Sequence, residues 1–128
     1  MGGSEEPRVA FPRHRPRRLR STPALRKLVA ETSVEPRHLV LPMFVADGID
    51  EPRDIASMPG VVQHTRESLR RAAADAVAAG VGGLMLFGVP REEDKDATGS
   101  AGVAEDGILN VALRDLAKDL GDDTVLMA

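Results

Sequence analysis

The sequence predicts an α/β fold built from parallel strand–helix units. Three short apolar runs are separated by two amphipathic helical segments, in the order strand, helix, strand, helix, strand. The runs are unbroken rather than alternating, which is typical of parallel strands covered on both faces. This order favours right-handed crossovers, so consecutive strands are expected to lie parallel in one sheet.

The three predicted strands are Leu39–Val45, Val81–Val89 and Thr124–Ala128. The first contains Pro42, which cannot donate a backbone hydrogen bond and is therefore expected at an edge, a bulge or a strand end. Residues 46–64 are rich in Gly and Pro and predict turns, including a small hairpin around Met58–Val61.

Each predicted helix begins and ends at a recognisable signal. Thr65 can cap a helix whose buried stripe is spaced as i, i+3, i+4, i+7 and i+8, and Gly80 ends it. Gly121 closes a second helix with an apolar inner face, and Thr22 followed by Pro23 begins a shorter one that runs to about Glu31. The predicted inner faces are Leu69, Ala72, Ala73, Ala76 and Val77; Ile108, Val111, Ala112, Leu116 and Leu120; and Leu25, Leu28 and Val29.

Three strands cannot close a barrel, and an open sheet of three would expose the edges of its outer strands. A complete (β/α)₈ barrel, the TIM barrel, needs about 250 residues. We therefore expect residues 21–128 to be an incomplete barrel domain with the first three strands, interrupted within the third apolar run. The alternative is a small α/β domain complete in itself.

The amino-terminal region differs from the rest in charge. Residues 1–30 carry seven Arg and one Lys against two Glu, a net charge of +6, which leaves −9 for residues 31–128. Residues 1–20 combine three Pro with six Arg and predict an extended basic arm. Three interpretations are open: an arm that embraces a neighbouring subunit, a solvated tail, or a nucleic-acid-binding tail, for which Phe11 is the one aromatic side chain.

Composition excludes several classes of site. The chain has no Cys, which removes disulfides, thiolate nucleophiles and Cys-based zinc sites. No apolar run approaches the roughly 18 residues of a membrane span, and we expect a cytoplasmic protein without a membrane partner. His14, His38 and His64 are far apart and lack ligand spacing, so structural or solvated roles are expected.

Several segments together resemble the opening of the porphobilinogen synthase family, also called 5-aminolaevulinate dehydratase. They are Arg15–Val29, Leu39–Val45, Ser57–Gly60, Leu86–Pro90, and Lys95–Asp96 followed by Gly99–Ser100. The resemblance runs from about Arg15 to Ala128, and its specificity lies in the order and spacing of the segments.

The resemblance implies an enzyme of tetrapyrrole and haem biosynthesis that condenses two 5-aminolaevulinate molecules into porphobilinogen with loss of two waters. It also implies a barrel preceded by an arm, dimers that assemble into octamers, and dependence on zinc or magnesium.

The family's two Schiff-base lysines and its metal-binding segment would all lie beyond Ala128. We therefore predict no catalytic, cofactor or metal residue in this chain, no bound cofactor and no activity alone. By the same resemblance, the arm residues expected at a subunit interface are Phe11, Arg15, Arg17, Arg18 and Arg20. The alternative function is a small α/β binding module with a basic nucleic-acid-binding tail.

The loop Pro90–Asp106 follows a predicted strand, and such loops stand at the catalytic mouth of barrels. It is interpreted either as a solvated charged loop or as a segment that touches substrate. Asp94, Asp96 and Asp106 suggest a site for a hard cation but lack the spacing of a calcium loop. Lys27, Lys95 and Lys118 are not expected to act as nucleophiles, because each has polar or charged neighbours in the sequence.

Overall fold

The computed structural model describes Pro12 and residues 17–128. The chain divides into two compact units, Met1–Val34 and Glu35–Ala128. In the first unit, Arg18–Arg20 forms one turn of 3₁₀ helix, where an extended arm was predicted. Helix α1 spans Pro23–Leu28 and begins as predicted, because the Thr22 hydroxyl accepts a 3.1 Å hydrogen bond from the Leu25 N–H.

The predicted end and inner face of α1 were wrong. The helix stops at Leu28 rather than near Glu31, and Leu28 and Val29 are exposed. Six residues make fewer than two turns, which is too short for a continuous buried stripe.

The second unit contains one sheet and its helices. In chain order its elements are β1 (Val40–Ala46), β2 (Arg53–Asp54), β3 (Val62–His64), α2 (Arg66–Ala78), β4 (Gly83–Val89), α3 (Ser100–Val103), α4 (Ile108–Leu120) and β5 (Val125–Met127). Among the described residues the sheet has five strands in the order β2-β3-β1-β4-β5. Strands β1, β4 and β5 are parallel neighbours, as predicted, with Val40 opposite Gly83 and Gly83 opposite Val125.

The hairpin around Met58–Val61 is present and adds two short strands that the apolar runs did not predict. Strands β2 and β3 pair antiparallel, and the Ile55 N–H donates to the Val61 carbonyl at 3.1 Å. Strand β3 also pairs parallel with β1, through Phe44 and Val45. The sheet is therefore wider than the three strands predicted from hydrophobic runs.

Pro42 lies inside β1 without interrupting the ladder to β4. The Leu39 carbonyl and the Asp47 N–H both bond towards β4, so odd-numbered residues of this strand direct their backbone groups to that neighbour. Pro42 is even-numbered and faces the other side, where pairing with β3 begins only at Phe44. The missing N–H therefore falls on an unpaired stretch of edge.

One face of the sheet, called the helix face below, carries the core. Met43, Val45, Leu84 and Leu86 pack against Leu69 and Ala73 of α2 and Ala112 and Leu116 of α4. Both helices begin and end where predicted: the Ser68 N–H donates to the Thr65 hydroxyl at 3.1 Å, Gly80 has φ +95°, and Gly121 follows α4. Gly88 lets α4 approach closely, because a Cβ there would lie 2.7 Å from Leu109 Cβ.

The opposite face is uncovered in the second unit, which corrects the prediction of strands buried on both faces. Its side chains alternate with those of the helix face. Ala46 and Val89 also lie on it, and Ala46 is buried. The name open face is used for seven others, Val40, Pro42, Phe44, Met85, Phe87, Val125 and Met127. The Phe44 and Phe87 rings stack with centroids 5.3 Å apart. A Cβ on Gly83 would meet Met127 Cε and Val40 Cγ2, which places these side chains together.

Candidate functional site

The loops after β1 and β4 meet at the carboxyl edge of the sheet. The Asp47 N–H donates to the Val89 carbonyl at 2.9 Å, and Arg91 Nε lies 3.4 Å from Asp47 Oδ2. Gly48 has φ +69°, and a Cβ at this position would lie 2.9 Å from Arg91 Nε. The Asp47–Arg91 pair was not predicted from the sequence; the signal available was that each residue follows a predicted strand almost immediately.

A cleft of about 490 Å³ lies between these loops and the start of α4. Asp47, Asp94 and Asp106 line it, together with Ser100 and Gly107. The amino terminus of α4 opens on the cleft without a side-chain cap, and its partial positive charge favours nearby carboxylates. The three carboxylates can accept hydrogen bonds from N–H or ammonium donors, and the residues that line the cleft include no Arg or Lys to bind an anion.

Asp96 is engaged by its own turn rather than by the cleft. Its carboxylate accepts hydrogen bonds from the Thr98 N–H at 3.1 Å, the Thr98 hydroxyl at 3.0 Å, the Ser100 N–H at 3.0 Å and the Ser100 hydroxyl. These bonds, above all those from Ser100, hold the pKa of Asp96 far below its usual range. Asp94, Asp96 and Asp106, whose sequence spacing argued against a calcium loop, are thus divided, since Asp96 does not line the cleft.

The segment predicted as a loop, Pro90–Asp106, has internal structure. Residues Glu92–Asp94 form a 3₁₀ turn and Ser100–Val103 forms α3. Asn110 Nδ2 donates to the Ala104 carbonyl at 2.8 Å, and the Arg114 guanidinium donates to the Glu105 carbonyl. Side chains of α4 therefore fix the end of this segment against the cleft.

The three lysines of residues 17–128 lie in exposed or acid-paired positions. Lys27 and Lys118 are exposed on helices, and Lys95 Nζ pairs with the Glu92 carboxylate. A Schiff-base amine needs a lowered pKa, which usually requires burial or a cationic neighbour. Residues 17–128 also hold no group of three or more His, Asp or Glu that could bind a metal ion.

The described histidines have structural contacts. His64 Nδ1 lies 3.1 Å from the Ser68 hydroxyl at the start of α2, and partial burial lowers the pKa of His64. His38 Nδ1 accepts from the Glu35 N–H at 3.4 Å within a short 3₁₀ turn. His14 lies outside the described residues.

The predicted interface residues are only partly described. Phe11 and Arg15 lie outside the described residues, whereas Arg17, Arg18 and Arg20 are exposed. The Arg20 carbonyl accepts a 2.9 Å hydrogen bond from Arg26 Nη1, which ties the 3₁₀ turn to α1 within the first unit. Within the described part of the chain, no helix is long and apolar enough to cross a membrane.

The profile of the delta-aminolevulinic acid dehydratase family matches residues 13–128. The chain belongs to this family. It is 82% identical over 119 residues to the delta-aminolevulinic acid dehydratase of Mycobacterium tuberculosis H37Rv, which covers 93% of this chain and 36% of that protein. The Mycobacterium leprae relative is 84% identical over 118 residues, covering 92% of this chain and 36% of that protein.

The fold comparison agrees with the family assignment. The crystal structure of the Toxoplasma gondii delta-aminolevulinic acid dehydratase, or porphobilinogen synthase, in complex with its product porphobilinogen matches with a TM-score of 0.80 at 34% identity. The match covers 88% of this chain and 31% of that chain. The chain therefore spans about a third of the length of its relatives, and its fold is the amino-terminal portion of a TIM barrel.

Proposed function

We propose that this chain supplies the arm and first strands of a delta-aminolevulinic acid dehydratase that joins two 5-aminolaevulinate molecules into porphobilinogen, releasing two waters. The observation that carries the proposal is the 82% identity to the M. tuberculosis dehydratase over nearly the whole chain. The alternative, a nucleic-acid-binding module, has no specific observation in its favour.

In this proposal, the chain contributes structure at the end of the barrel where the active site lies. Active sites of TIM barrels lie at the carboxyl ends of the strands. The cleft bounded by Asp47, Asp94 and Asp106 lies at this edge. We assign these loops to the wall of the site, with the Asp47–Arg91 pair holding the first two loops together.

The chain alone is proposed to be inactive. The described lysines are exposed or paired with an acid, whereas a Schiff-base amine is usually activated by burial or by a cationic neighbour. The zinc or magnesium that the family resemblance implies does not fit the described residues, which lack a ligand cluster. Both the amines and the metal ligands would then come from the portion of the relatives that this chain does not cover.

This proposal is tested with three purified samples incubated with 5-aminolaevulinate and zinc or magnesium. They are this chain, this chain fused in frame to the uncovered portion of the M. tuberculosis relative, and that relative itself. We expect porphobilinogen from the fusion and the relative but none from the chain alone. A folded fusion without activity would contradict the function, and product from the chain alone would contradict its inactivity.

The same fusion tests the arm. We propose that Phe11, Arg15, Arg17, Arg18 and Arg20 contact a neighbouring subunit in a cytoplasmic assembly of up to eight subunits. Removing residues 1–20 from the fusion is expected to reduce its mass in solution, measured by light scattering. An unchanged mass would argue for a solvated tail.

A further inference from the structure

Asp96 organises the segment between β4 and α3. Its Oδ1 atom accepts hydrogen bonds from the Thr98 N–H, the Thr98 hydroxyl and the Ser100 N–H, and its Oδ2 atom accepts from the Ser100 hydroxyl. An ionised carboxylate has about four acceptor positions, so these bonds use its capacity within one turn of the chain. Such a carboxylate is suited to fixing the backbone around it rather than to binding a ligand.

The turn of Asp96 determines where α3 begins. Gly99 has φ +67°, its N–H donates to the Asp96 carbonyl at 3.3 Å, and Ser100 is the first residue of the helix. Helix α3 has four residues, and a helix of this length is not stable by itself. Its position must therefore be set by the contacts at its two ends.

The other end of α3 is held by α4. Asn110 Nδ2 donates to the Ala104 carbonyl at 2.8 Å. A Cβ on Gly107 would lie 3.0 Å from the Ala104 carbonyl oxygen and closer still to that of Ala101, so α3 packs directly against the start of α4. With this end fixed, the turn of Asp96 is the contact that sets the course of the backbone from β4 into α3.

The residues on either side of Asp96 line the cleft at the carboxyl edge of the sheet. Asp94 precedes it and Ser100 follows it, and both contribute to the cleft wall, whereas Asp96 does not. We propose that Asp96 is a positioning residue for the dehydratase reaction: its hydrogen bonds to Thr98 and Ser100 hold the segment in the shape that forms this wall. This inference rests on the proposed function and identifies a residue that acts through its neighbours rather than by touching substrate.

The experiment measures KM and kcat for 5-aminolaevulinate in the fusion of this chain to the uncovered portion of the M. tuberculosis relative. Asp96→Ala removes all four hydrogen bonds and is expected to raise KM about tenfold with kcat changed less than about twofold, because the wall moves while the reacting groups remain. Asp96→Asn keeps an oxygen for the three bonds to Oδ1 and should bring KM back to within about threefold of the original.

Two further variants complete the series. Thr98→Val removes one hydroxyl donor and keeps the N–H, so its KM should lie between those of the original fusion and Asp96→Ala. Asp75→Ala removes an exposed carboxylate of α2 far from the turn in sequence and should leave KM unchanged. Circular dichroism melts establish that each variant is folded; Thr98→Val carries the test if Asp96→Ala is not.

A second measurement follows the turn directly. Amide hydrogen exchange of Thr98 and Ser100, measured by NMR on this chain, should be several-fold faster in Asp96→Ala than in the original chain, because both N–H groups lose their acceptor. Asp96→Asn should exchange at nearly the original rate. The melting temperature should change little, since the turn is exposed and lies outside the core.

The inference is overturned if folded Asp96→Ala leaves KM unchanged, or if Asp96→Asn raises KM as much as Asp96→Ala. A fall in kcat at constant KM would also overturn it, because that result would indicate a group that takes part in the chemistry. Equal exchange rates in Asp96→Ala and the original chain would contradict the turn itself, whatever the activity of the fusion. A fusion without activity but with the expected exchange rates would contradict the proposed function and support the turn.

Discussion

The two faces of the sheet have similar apolar side chains but different environments. On β4, Leu84 and Leu86 point to the helix face and are buried, whereas Met85 and Phe87 point to the open face and are partly exposed. Strand β4 therefore has apolar side chains on both faces, although the helices of this chain bury only one of them. Burial on this strand therefore depends on the face to which a side chain points, not on its hydrophobicity.

The two faces should differ most in how far the free energy of unfolding falls when a side chain is truncated to alanine. Leu86→Ala removes a side chain that is 1% exposed and should cost about 2–5 kcal/mol, a large share of the stability of a small domain. Met85→Ala, its neighbour on the same strand, should cost clearly less because Met85 is only partly buried. Urea unfolding followed by circular dichroism gives both values; equal losses would show that the open face is covered in solution.

Two glycines of β4 test the same contrast with a single methyl group. Gly88→Ala places a Cβ 2.7 Å from Leu109 Cβ and 3.3 Å from its backbone, so α4 must shift, and we expect a loss of about 1–3 kcal/mol. Gly83→Ala meets the flexible end of Met127 on the open face. It should be neutral or stabilise by up to about 1 kcal/mol, because alanine restricts the unfolded chain.

The measurement for the glycine pair is the urea midpoint of each variant. A loss at Gly83 as large as that at Gly88 would mean that the open face is as tightly packed as the helix face, and would contradict the comparison.

The sequence predicted the parts of the fold that depend on residues close together in the chain. Thr22, Thr65 and Gly80 act at helix ends through their nearest neighbours in the chain, and the stripes of α2 and α4 follow from helical spacing. The extra strands β2 and β3 were not predicted as part of the sheet, because pairing of β3 with β1 depends on long-range register.

The candidate site shows the same division. The loops at the carboxyl edge were predicted from strand order, but the Asp47–Arg91 contact joins residues 44 positions apart and left no periodic signal. The turn of Asp96, by contrast, is local, yet the charged run around it did not predict this turn. The residues next to Asp96 in the sequence did not show that backbone N–H groups donate hydrogen bonds to its carboxylate.

The smallest expected effect concerns the ion pairs that join α2 and α4 above the helix face. Arg66 donates to Asp115 at 2.8 Å, and Arg70 donates to both oxygens of Asp119 at 2.6 and 2.9 Å. Hydrogen bonding from Arg70, followed by its charge, lowers the pKa of Asp119. Because both pairs lie at the surface with half-exposed arginines, we expect apolar burial to dominate the stability of this face and the pairs to add little.

Asp119→Asn tests this by its pH dependence. A carboxyl group whose pKa is lower in the folded chain adds stability above its ordinary pKa and loses it as the pH falls through the lowered value. The urea midpoint of the variant should therefore lie slightly below that of the original chain at neutral pH, and the difference should vanish in acid as Asp119 becomes protonated. Asp122→Asn, which removes a charge outside the pairs, is the control. If the Asp119 variant lost as much stability as Leu86→Ala, the ion pairs rather than the buried side chains would hold the helices to the sheet.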